Sequence, residues 1–199
     1  MSTFAFPPSI KSRPVWGKLE PRPGPAHLFV ADAHCAEAIL EVARAGADMA
    51  RAHVIYIPRG QDFADALRAL EPAQLHVAPS YAATVPRLRR VLSDARMGLQ
   101  VYLSGTEGLM GQAMYEATQA GIPHSAIQTE HRGSVARRMQ CVHCKGITED
   151  VETDPFVCSH CGLNLFVRDH YSRRLAAYQG VRVDAEHPGD VPTPRGIYE

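Results

Sequence analysis

The chain has 199 residues, of which 45% are hydrophobic and 21% are charged, with equal numbers of basic and acidic side chains. A formal charge of zero argues against a protein whose whole surface binds nucleic acid or an anionic membrane. No apolar run approaches the ~18 residues of a membrane helix, and the first residues lack the apolar core of a secretory signal. The sequence therefore predicts a cytoplasmic protein with reduced thiols, built from one domain or from one domain plus a small module.

Residues 1–26 contain six prolines. Proline fixes φ and removes a backbone donor, so this composition predicts an extended arm without regular structure. The arm also carries Phe4, Phe6 and Trp16. These aromatic side chains are suited to anchoring the arm on a partner or on the protein's own core.

Residues 27–133 alternate short apolar runs with segments of helical period. The runs of strand length are HLFVA, AHVIYI, QLHVA, QVYLS and, less clearly, SAIQTE. Between them, apolar stripes with helical spacing begin near Ala36, Phe63, Val85 and Leu109. This alternation predicts βαβ units and a parallel sheet covered on both faces. Ser104 stands three residues before Glu107, a spacing that predicts a capping box at the start of the last helix.

Four of the five cysteines lie in two Cys-x-x-Cys pairs separated by 13 residues: Cys141, Cys144, Cys158 and Cys161. Zinc takes four thiolates tetrahedrally, and paired turns of this kind deliver them. The spacing therefore predicts a closed four-thiolate metal site, a zinc ribbon, within residues 138–171. The segment has too little apolar material for a core of its own, so the metal would supply folding energy.

Iron can occupy the same four thiolates. Iron sites of the rubredoxin type often have glycine directly after each cysteine pair. Gly162 follows Cys161, but Lys145 follows Cys144. This departure and the short loop between the pairs favour zinc and leave iron as the alternative. Dithiol exchange is less favoured, because that chemistry needs one free pair and metal ligation leaves none.

The loop between the cysteine pairs is acidic, with Glu149, Asp150, Glu152 and Asp154. Such a tip should repel phosphate, which argues against nucleic-acid binding, and it would suit a basic patch on another protein. We expect the acidic tip, the basic shoulders at Arg168, Arg173 and Arg174, and the N-terminal arm to form the main contact surface. In residues 172–199 the sequence predicts a short helix in RRLAAYQGV and then a Pro-rich tail.

Residues 100–131 resemble the end of the nicotinamide-binding domain of ferredoxin-reductase-type flavoproteins. Ser104-Gly105-Thr106 stands where that family has a Cys-Gly-Pro turn beside the nicotinamide, and Met110, Gly121-Ile122-Pro123 and Glu130 follow as in the family. The resemblance implies a parallel-sheet α/β fold of the ferredoxin-reductase type. It makes Arg59, Ser104, Gly105 and Thr106 the candidates for nucleotide binding.

The first predicted strand departs from that family. The family has a Gly-rich turn there, which lets backbone N–H groups approach a pyrophosphate. The corresponding stretch FVADAHCAEAI has no glycine, and Asp32 would bring a negative charge near the diphosphate. We therefore expect nucleotide binding to be lost, Cys35 to be a small buried hydrophobe, and no residue of this chain to be catalytic.

Over nearly its whole length the chain resembles the small subunit of bacterial dimethylamine monooxygenase. The match is most specific in the four-cysteine segment and in LFVRDHYSRR after it. The resemblance implies a hetero-oligomeric enzyme that converts dimethylamine to methylamine and formaldehyde with O₂ and NADPH. It places haem in a catalytic subunit, and flavin and an iron–sulfur cluster in a reductase subunit.

Three functions remain open from the sequence. The chain is either an accessory subunit that docks and stabilises the catalytic and reductase subunits, or a redox-active component that binds NAD(P)H or relays electrons through iron. A nucleic-acid-binding ribbon is the third and less favoured reading, because of the acidic tip and the zero net charge.

Overall fold

A computed structural model of the chain describes residues 13–197. These residues form two compact units. The α/β unit comprises residues 16–136 and 174–176, and the ribbon unit comprises residues 13–15, 137–173 and 177–197.

The α/β unit alternates strands and helices as the sequence predicts. Its strands are β1 (Ala26–Asp32), β2 (Ala52–Ile57), β3 (Gln74–Val77), β4 (Leu99–Gly105) and β5 (Ile127–His131). Its helices are α1 (Ala36–Arg44), α2 (Ala64–Arg68), α3 (Tyr81–Ser93) and α4 (Glu107–Gln119). All neighbouring strands are parallel, in the order β3-β2-β1-β4-β5. The parallel-sheet α/β fold is therefore confirmed, with β1 and β4 adjacent at its centre.

The central strands β1, β2 and β4 are buried on both faces of the sheet. Phe29 of β1 and Tyr102 of β4 stack on the face covered by α1 and α2, with ring centroids 4.4 Å apart. Leu28 and Val30 point to the other face, where α3 and α4 cover them. Successive side chains of a strand alternate between faces, so a strand covered on both sides needs an unbroken apolar run. This explains why the central strands read as continuous hydrophobic segments.

Helix α4 begins two residues later than the capping-box spacing predicts. Strand β4 continues through Gly105, so Ser104 is buried in the sheet and donates a hydrogen bond to the Glu130 carbonyl at 3.1 Å. The N-cap is Thr106, whose Oγ1 accepts from the Leu109 N–H at 3.3 Å. The prediction of Ser104 as the cap is wrong because the strand pairing with β5 holds that residue.

Residues 16–25 have no helix or strand and bind alongside β5. The Gly17 N–H donates to the Thr129 carbonyl at 2.9 Å, and the Leu19 N–H donates to Glu130 Oε2 at 2.7 Å. Leu19 is 4% exposed, and Trp16 packs on the α3–α4 side of the core. From Trp16 onward the arm therefore belongs to the core of the α/β unit. Phe4 and Phe6 lie outside the described residues.

The ribbon unit is built from short strands. They are β6 (Arg137–Cys141), β7 (Ile147–Val151), β8 (Thr153–Asp154), β9 (Phe156–Val157), β10 (Asn164–Ser172), β11 (Ala177–Arg182) and β12 (Arg195–Gly196). Five of them form a sheet in the order β7-β6-β11-β10-β9, and β12 pairs with β8. The C-terminal tail thus returns to the ribbon.

The segment predicted as a short helix after the cysteine module is strand β11. It pairs in parallel with β6 and antiparallel with β10, so it lies at the centre of the sheet. Gly180 leaves no room for a Cβ, which would stand 2.8 Å from Cζ of Phe156. Helix propensity is a weak preference that tertiary packing overrides. Here the overriding contacts are the burial of Tyr178 and the close approach of Phe156.

The ribbon unit also holds a buried guanidinium. Arg137 is 2% exposed, donates to Asp169 at 3.0 Å and lies 4.3 Å from the centre of the Tyr178 ring. Arg13 binds the other oxygen of Asp169 at 2.5 Å. Burial opposes ionisation of Asp169, but the two guanidinium groups outweigh it and lower the pKa of that carboxyl. A buried charge is tolerated only when it is paired in this way.

Among residues 13–197 no helix has the length and apolar character required to cross a membrane.

Candidate metal centre and nucleotide cleft

Two turns of the same shape present the cysteines. The first turn joins β6 to β7, and the second joins β9 to β10. In the first, the Lys145 N–H donates to the Cys141 carbonyl at 2.9 Å, and in the second the Gly162 N–H donates to the Cys158 carbonyl at 3.0 Å. Lys145 and Gly162 both have positive φ, 64° and 71°. The two halves of the site are therefore built alike despite their different sequences.

The four sulfur atoms converge on one point. Cys141 Sγ lies 3.8 Å from Cys161 Sγ, and Cys144 Sγ lies 3.7 Å from Cys158 Sγ. All four lie within 4.8 Å of one another. A tetrahedral ion with metal–sulfur bonds of ~2.3 Å requires sulfur–sulfur separations of ~3.8 Å. The cluster predicted from the spacing is thus formed, and its dimensions fit a single metal ion.

Backbone groups favour the thiolate form that a metal requires. Burial opposes ionisation of Cys158, but the N–H groups of Cys161 and His160 outweigh it and lower the pKa of that thiol to about 6. The Gly146 N–H points to Cys144 Sγ at 3.4 Å. His160 is held by its own contact, with Nε2 2.8 Å from the Ile147 carbonyl oxygen. Four sulfurs complete the coordination shell without a histidine.

The structure weakens one sequence argument for zinc over iron. Lys145 adopts the left-handed conformation that favours glycine, so the missing glycine leaves the turn unchanged. The donor set therefore accommodates either metal.

The acidic tip is partly used within the ribbon. Glu149 pairs with Arg138, and Asp154 Oδ1 accepts from the Val167 N–H at 2.9 Å. Among the basic shoulders, Arg168 lies 4.7 Å from the Phe166 ring centre. At least two of the four acidic side chains of the tip are therefore already bonded within the ribbon, so the tip offers less negative charge to a partner than the sequence implies.

A second candidate site lies at the carboxyl ends of the parallel strands. The cleft has a volume of about 430 Å³ and is lined by Asp32, Ala33, His34, Cys35, Arg59, Gly60, Gln61, Thr106 and Ser134. Strand order reverses between β1 and β4, and open α/β sheets bind ligands in the crevice at that position. Asp32 ends β1 and Thr106 follows β4, so both stand at the crevice.

The Asp32 carboxylate binds the hydrogen-bond donors around this crevice. It accepts from the N–H and the hydroxyl of Thr106, both at 3.3 Å, and pairs with Arg59 Nε at 3.3 Å. Burial raises the pKa of Asp32, although Arg59 and Thr106 act in the opposite direction. A Cβ on Gly105 would stand 2.5 Å from Asp32 Oδ1, so the glycine is what admits the carboxylate.

The nucleotide-binding candidates separate into two groups. Arg59 and Thr106 line the cleft, and Gly105 lies against Asp32. Ser104 is buried inside the sheet and does not line this cleft. Cys35 donates to the Arg132 carbonyl at 3.1 Å, and burial followed by the charge of Asp32 raises its pKa to about 12. A thiol in that state is not a nucleophile near neutral pH.

Sequence reasoning missed a charged network beside the cleft. Arg132 makes two bonds to Glu41 and one to Glu130 at 2.6 Å, and Glu130 also holds the Leu19 N–H. Burial opposes the effect, but the bonds to Glu41 outweigh it and raise the pKa of Arg132. Glu41 and Arg132 are 91 residues apart, so no local pattern indicates the pairing.

Solved structures similar to this chain include two oxygenase reductases. One is phthalate dioxygenase reductase, with 17% identity, a TM-score of 0.44, and coverage of 64% of this chain and 44% of that one. The other is the ferredoxin reductase of carbazole 1,9a-dioxygenase, with 15% identity, a TM-score of 0.40, and coverage of 56% and 34%. The chain spans less than half the length of these structures.

Sequence comparison gives a closer relationship. The heme-dependent oxidative N-demethylase delta subunit of Ectopseudomonas mendocina (strain ymp) is 36% identical over 135 residues, which cover 65% of this chain and 77% of that protein. Residues 8–127 match the family described as dimethylamine monooxygenase subunit DmmA-like, N-terminal domain, and residues 138–181 match its C-terminal domain. The chain therefore belongs to the DmmA-like family of dimethylamine monooxygenase subunits.

Proposed function

We propose that the chain is a non-catalytic, accessory subunit of a haem-dependent oxidative N-demethylase. The observation that carries this is the Asp32 carboxylate at the crevice of the sheet, bonded to Thr106 and Arg59. A diphosphate in that crevice would meet a buried carboxylate and would compete with it for the same donors. Burying like charges side by side costs free energy, so the cleft disfavours a nicotinamide nucleotide.

The substrate and the partners that we propose are suggested by the family. The related delta subunit is named as part of an oxidative N-demethylase. We propose that the complex acts on dimethylamine, and that this chain docks with a haem-containing catalytic subunit and a flavin and iron–sulfur reductase subunit. Electron transfer and oxygen chemistry would belong to those subunits, and the complex would be cytoplasmic.

Titration with NADPH tests the loss of nucleotide binding. The purified chain should give no saturable signal up to about 1 mM, because the donors at the crevice are already engaged. The reductase subunit, titrated in parallel, serves as the positive control. A dissociation constant in the micromolar range for the parent chain would replace the accessory role with that of a nucleotide-binding component.

We further propose that the four cysteines hold zinc in a closed structural site. The sulfur separations support a tetrahedral ion, and the preference for zinc over iron rests on the short loop of 13 residues between the cysteine pairs. Zinc would fix the two turns against each other and stabilise the ribbon unit. It would carry no electrons, since zinc has no redox chemistry.

The redox alternative is an iron site in the same cysteines, and the geometry described above fits it equally. Metal analysis and colour distinguish the two: zinc gives a colourless protein with one zinc per chain, whereas ferric iron in four thiolates gives a red one. Protein expressed with both metals supplied should contain zinc. A red product that bleaches on reduction would favour an electron-relay function.

A further inference from the structure

The amino ends of the parallel strands carry a surface that the cleft chemistry does not use. A hollow of about 300 Å³ is lined by the first residues of β1, β2, β3 and β4, among them Ala26, His53 and Leu99. A second hollow of about 450 Å³ is lined by Leu99, Ile122 and Pro123. The two share Ala95, Arg96 and Leu99. They form one continuous surface on the α/β unit, at the opposite ends of the strands from Asp32.

A tight turn between the hollows presents an exposed methionine. The Leu99 N–H donates to the Arg96 carbonyl, and Gly98 has a φ of 95°, which makes residues 96–99 a type II turn with Met97 at its outer corner. Met97 is 97% exposed. We call this region the Met97 surface and define it as Met97, Arg96, Arg87 and the two hollows.

The turn is rigid, although its methionine is exposed. A Cβ on Gly98 would stand 2.8 Å from Cδ of Pro25, and a Cβ on Gly24 would stand 2.9 Å from the Gly98 carbonyl oxygen. The turn and the arm therefore pack closely at the two glycines, where no side chain would fit. A side chain held on a rigid support loses little entropy on binding. Methionine also adapts its shape to a partner's pocket.

The charges of the surface indicate the chemistry of the partner. Arg89 and Arg90 of α3 pair with Glu116 and Asp94. Arg87 and Arg96 stand at the first hollow, and neither has an ion pair to any side chain within residues 13–197. Two guanidinium groups beside an apolar corner fit carboxylates that flank an apolar pocket.

We infer that the Met97 surface is the docking site for another subunit of the N-demethylase complex, one that offers an apolar pocket with an acidic rim. The inference rests on the proposed function, because it takes its occupant from the same complex. It moves the predicted contact surface away from Trp16, which binds the chain's own core.

The test uses the full chain co-expressed with the haem-containing and reductase subunits. Met97→Asp should weaken assembly about tenfold or more, because it places a charge against the partner's pocket. Met97→Leu should assemble like the parent. The double change Arg87→Glu and Arg96→Glu should slow association and reverse its salt dependence. Arg68→Glu, on α2 at the other face of the sheet, is the matched charge control.

Each outcome has one meaning. If the parent chain itself does not assemble with these subunits, the proposed function fails. If the parent assembles and Met97→Asp assembles equally well with an unchanged Tm, the docking inference alone is wrong. A second copy of this chain seated on the surface, detected as a dimer that Met97→Asp dissolves, would also overturn it, as would binding of inorganic phosphate that Arg87→Glu abolishes.

Discussion

Asp32 is the side chain that decides the chemistry of the crevice in the α/β unit. In open sheets of this strand order a ligand binds beyond β1 and β4, and here a side chain of the protein takes those donors. The carboxylate is buried, and its burial raises its pKa. Its charged form is therefore less stable in the folded chain than in the unfolded one, which gives stability a specific dependence on pH.

We predict that Asp32→Asn gains stability relative to the parent as the pH rises. A raised folded pKa means that the native state binds more protons than the unfolded state above about pH 4, so the parent loses stability from Asp32 as pH rises through this window. Asparagine has no such titration. Urea unfolding at about pH 4 and about pH 7 measures the difference between the two chains.

The control for this comparison is Glu37→Gln, which removes an exposed carboxylate that does not line the cleft. The prediction is wrong if the stability difference between Asp32→Asn and the parent is the same at both pH values, or if it shifts in favour of the parent at the higher pH.

At the residue scale, the sequence predicts the convergence of the four cysteines better than it predicts the turns around them. Cys-x-x-Cys pairs can be recognised from sequence because tetrahedral metal coordination requires that spacing. The left-handed conformation of Lys145 is not readable, since lysine rarely adopts it. Asp32 is recognisable in the sequence only by comparison, because the family that the chain resembles has a Gly-rich turn at that position.

At the scale of elements, local patterns predict the parallel strands and the helices but fail where distant partners decide. RRLAAYQGV is predicted to be a short helix, but its last residues belong to strand β11, because β6 and β10 pair with both edges of that strand. The arm shows the same limit. Its prolines predict an extended chain, but its attachment to β5 depends on Glu130 and Gln128, more than 100 residues away.

Because the arm packs on the core, we predict that Leu19→Ala destabilises the α/β unit by about 2–5 kcal/mol. Leu19 is almost fully buried, and its removal leaves a cavity beside the α1 and α2 layer. Lys18→Ala, at the exposed neighbouring position, is the matched control. Thermal unfolding followed by circular dichroism measures both.

The same contact predicts the effect of truncating the arm. Deleting residues 1–20 removes Trp16 and Leu19, so it should lower the Tm of the α/β unit and not merely weaken assembly. If Leu19→Ala and Lys18→Ala unfold at the same temperature, the arm contributes no stability and the packing described above is wrong.

At the scale of the whole molecule, each unit has its own core. The α/β unit has two apolar layers, and the ribbon unit has a third cluster that includes Met139, Leu165 and Tyr178. We predict that Cys141→Ser abolishes metal binding and unfolds the ribbon, and that it leaves the α/β unit folded. Metal analysis and limited proteolysis measure the two effects.

His143→Ala is the control for the cysteine variant, because His143 lies in the same turn, is exposed, and is not needed as a ligand. It should keep one metal per chain. Loss of metal in His143→Ala would give the histidine a ligand role, and loss of the α/β unit in Cys141→Ser would show that the two units do not fold separately.

The central position of β11 has a consequence for folding during synthesis. The α/β unit is almost continuous in sequence, because only residues 174–176 lie outside residues 16–136. Nearly all of it is therefore synthesised before the first cysteine turn. The strand at the middle of the ribbon sheet is the last of its five strands to be synthesised. The sheet is therefore complete only when residues 177–182 pair with β6 and β10. Until then the two halves of the metal site share no strand pairing. The ion pair between Arg137 and Asp169 also forms only after Asp169 has been added. A nascent chain stopped before Ala177 should therefore hold a finished α/β unit and an open ribbon.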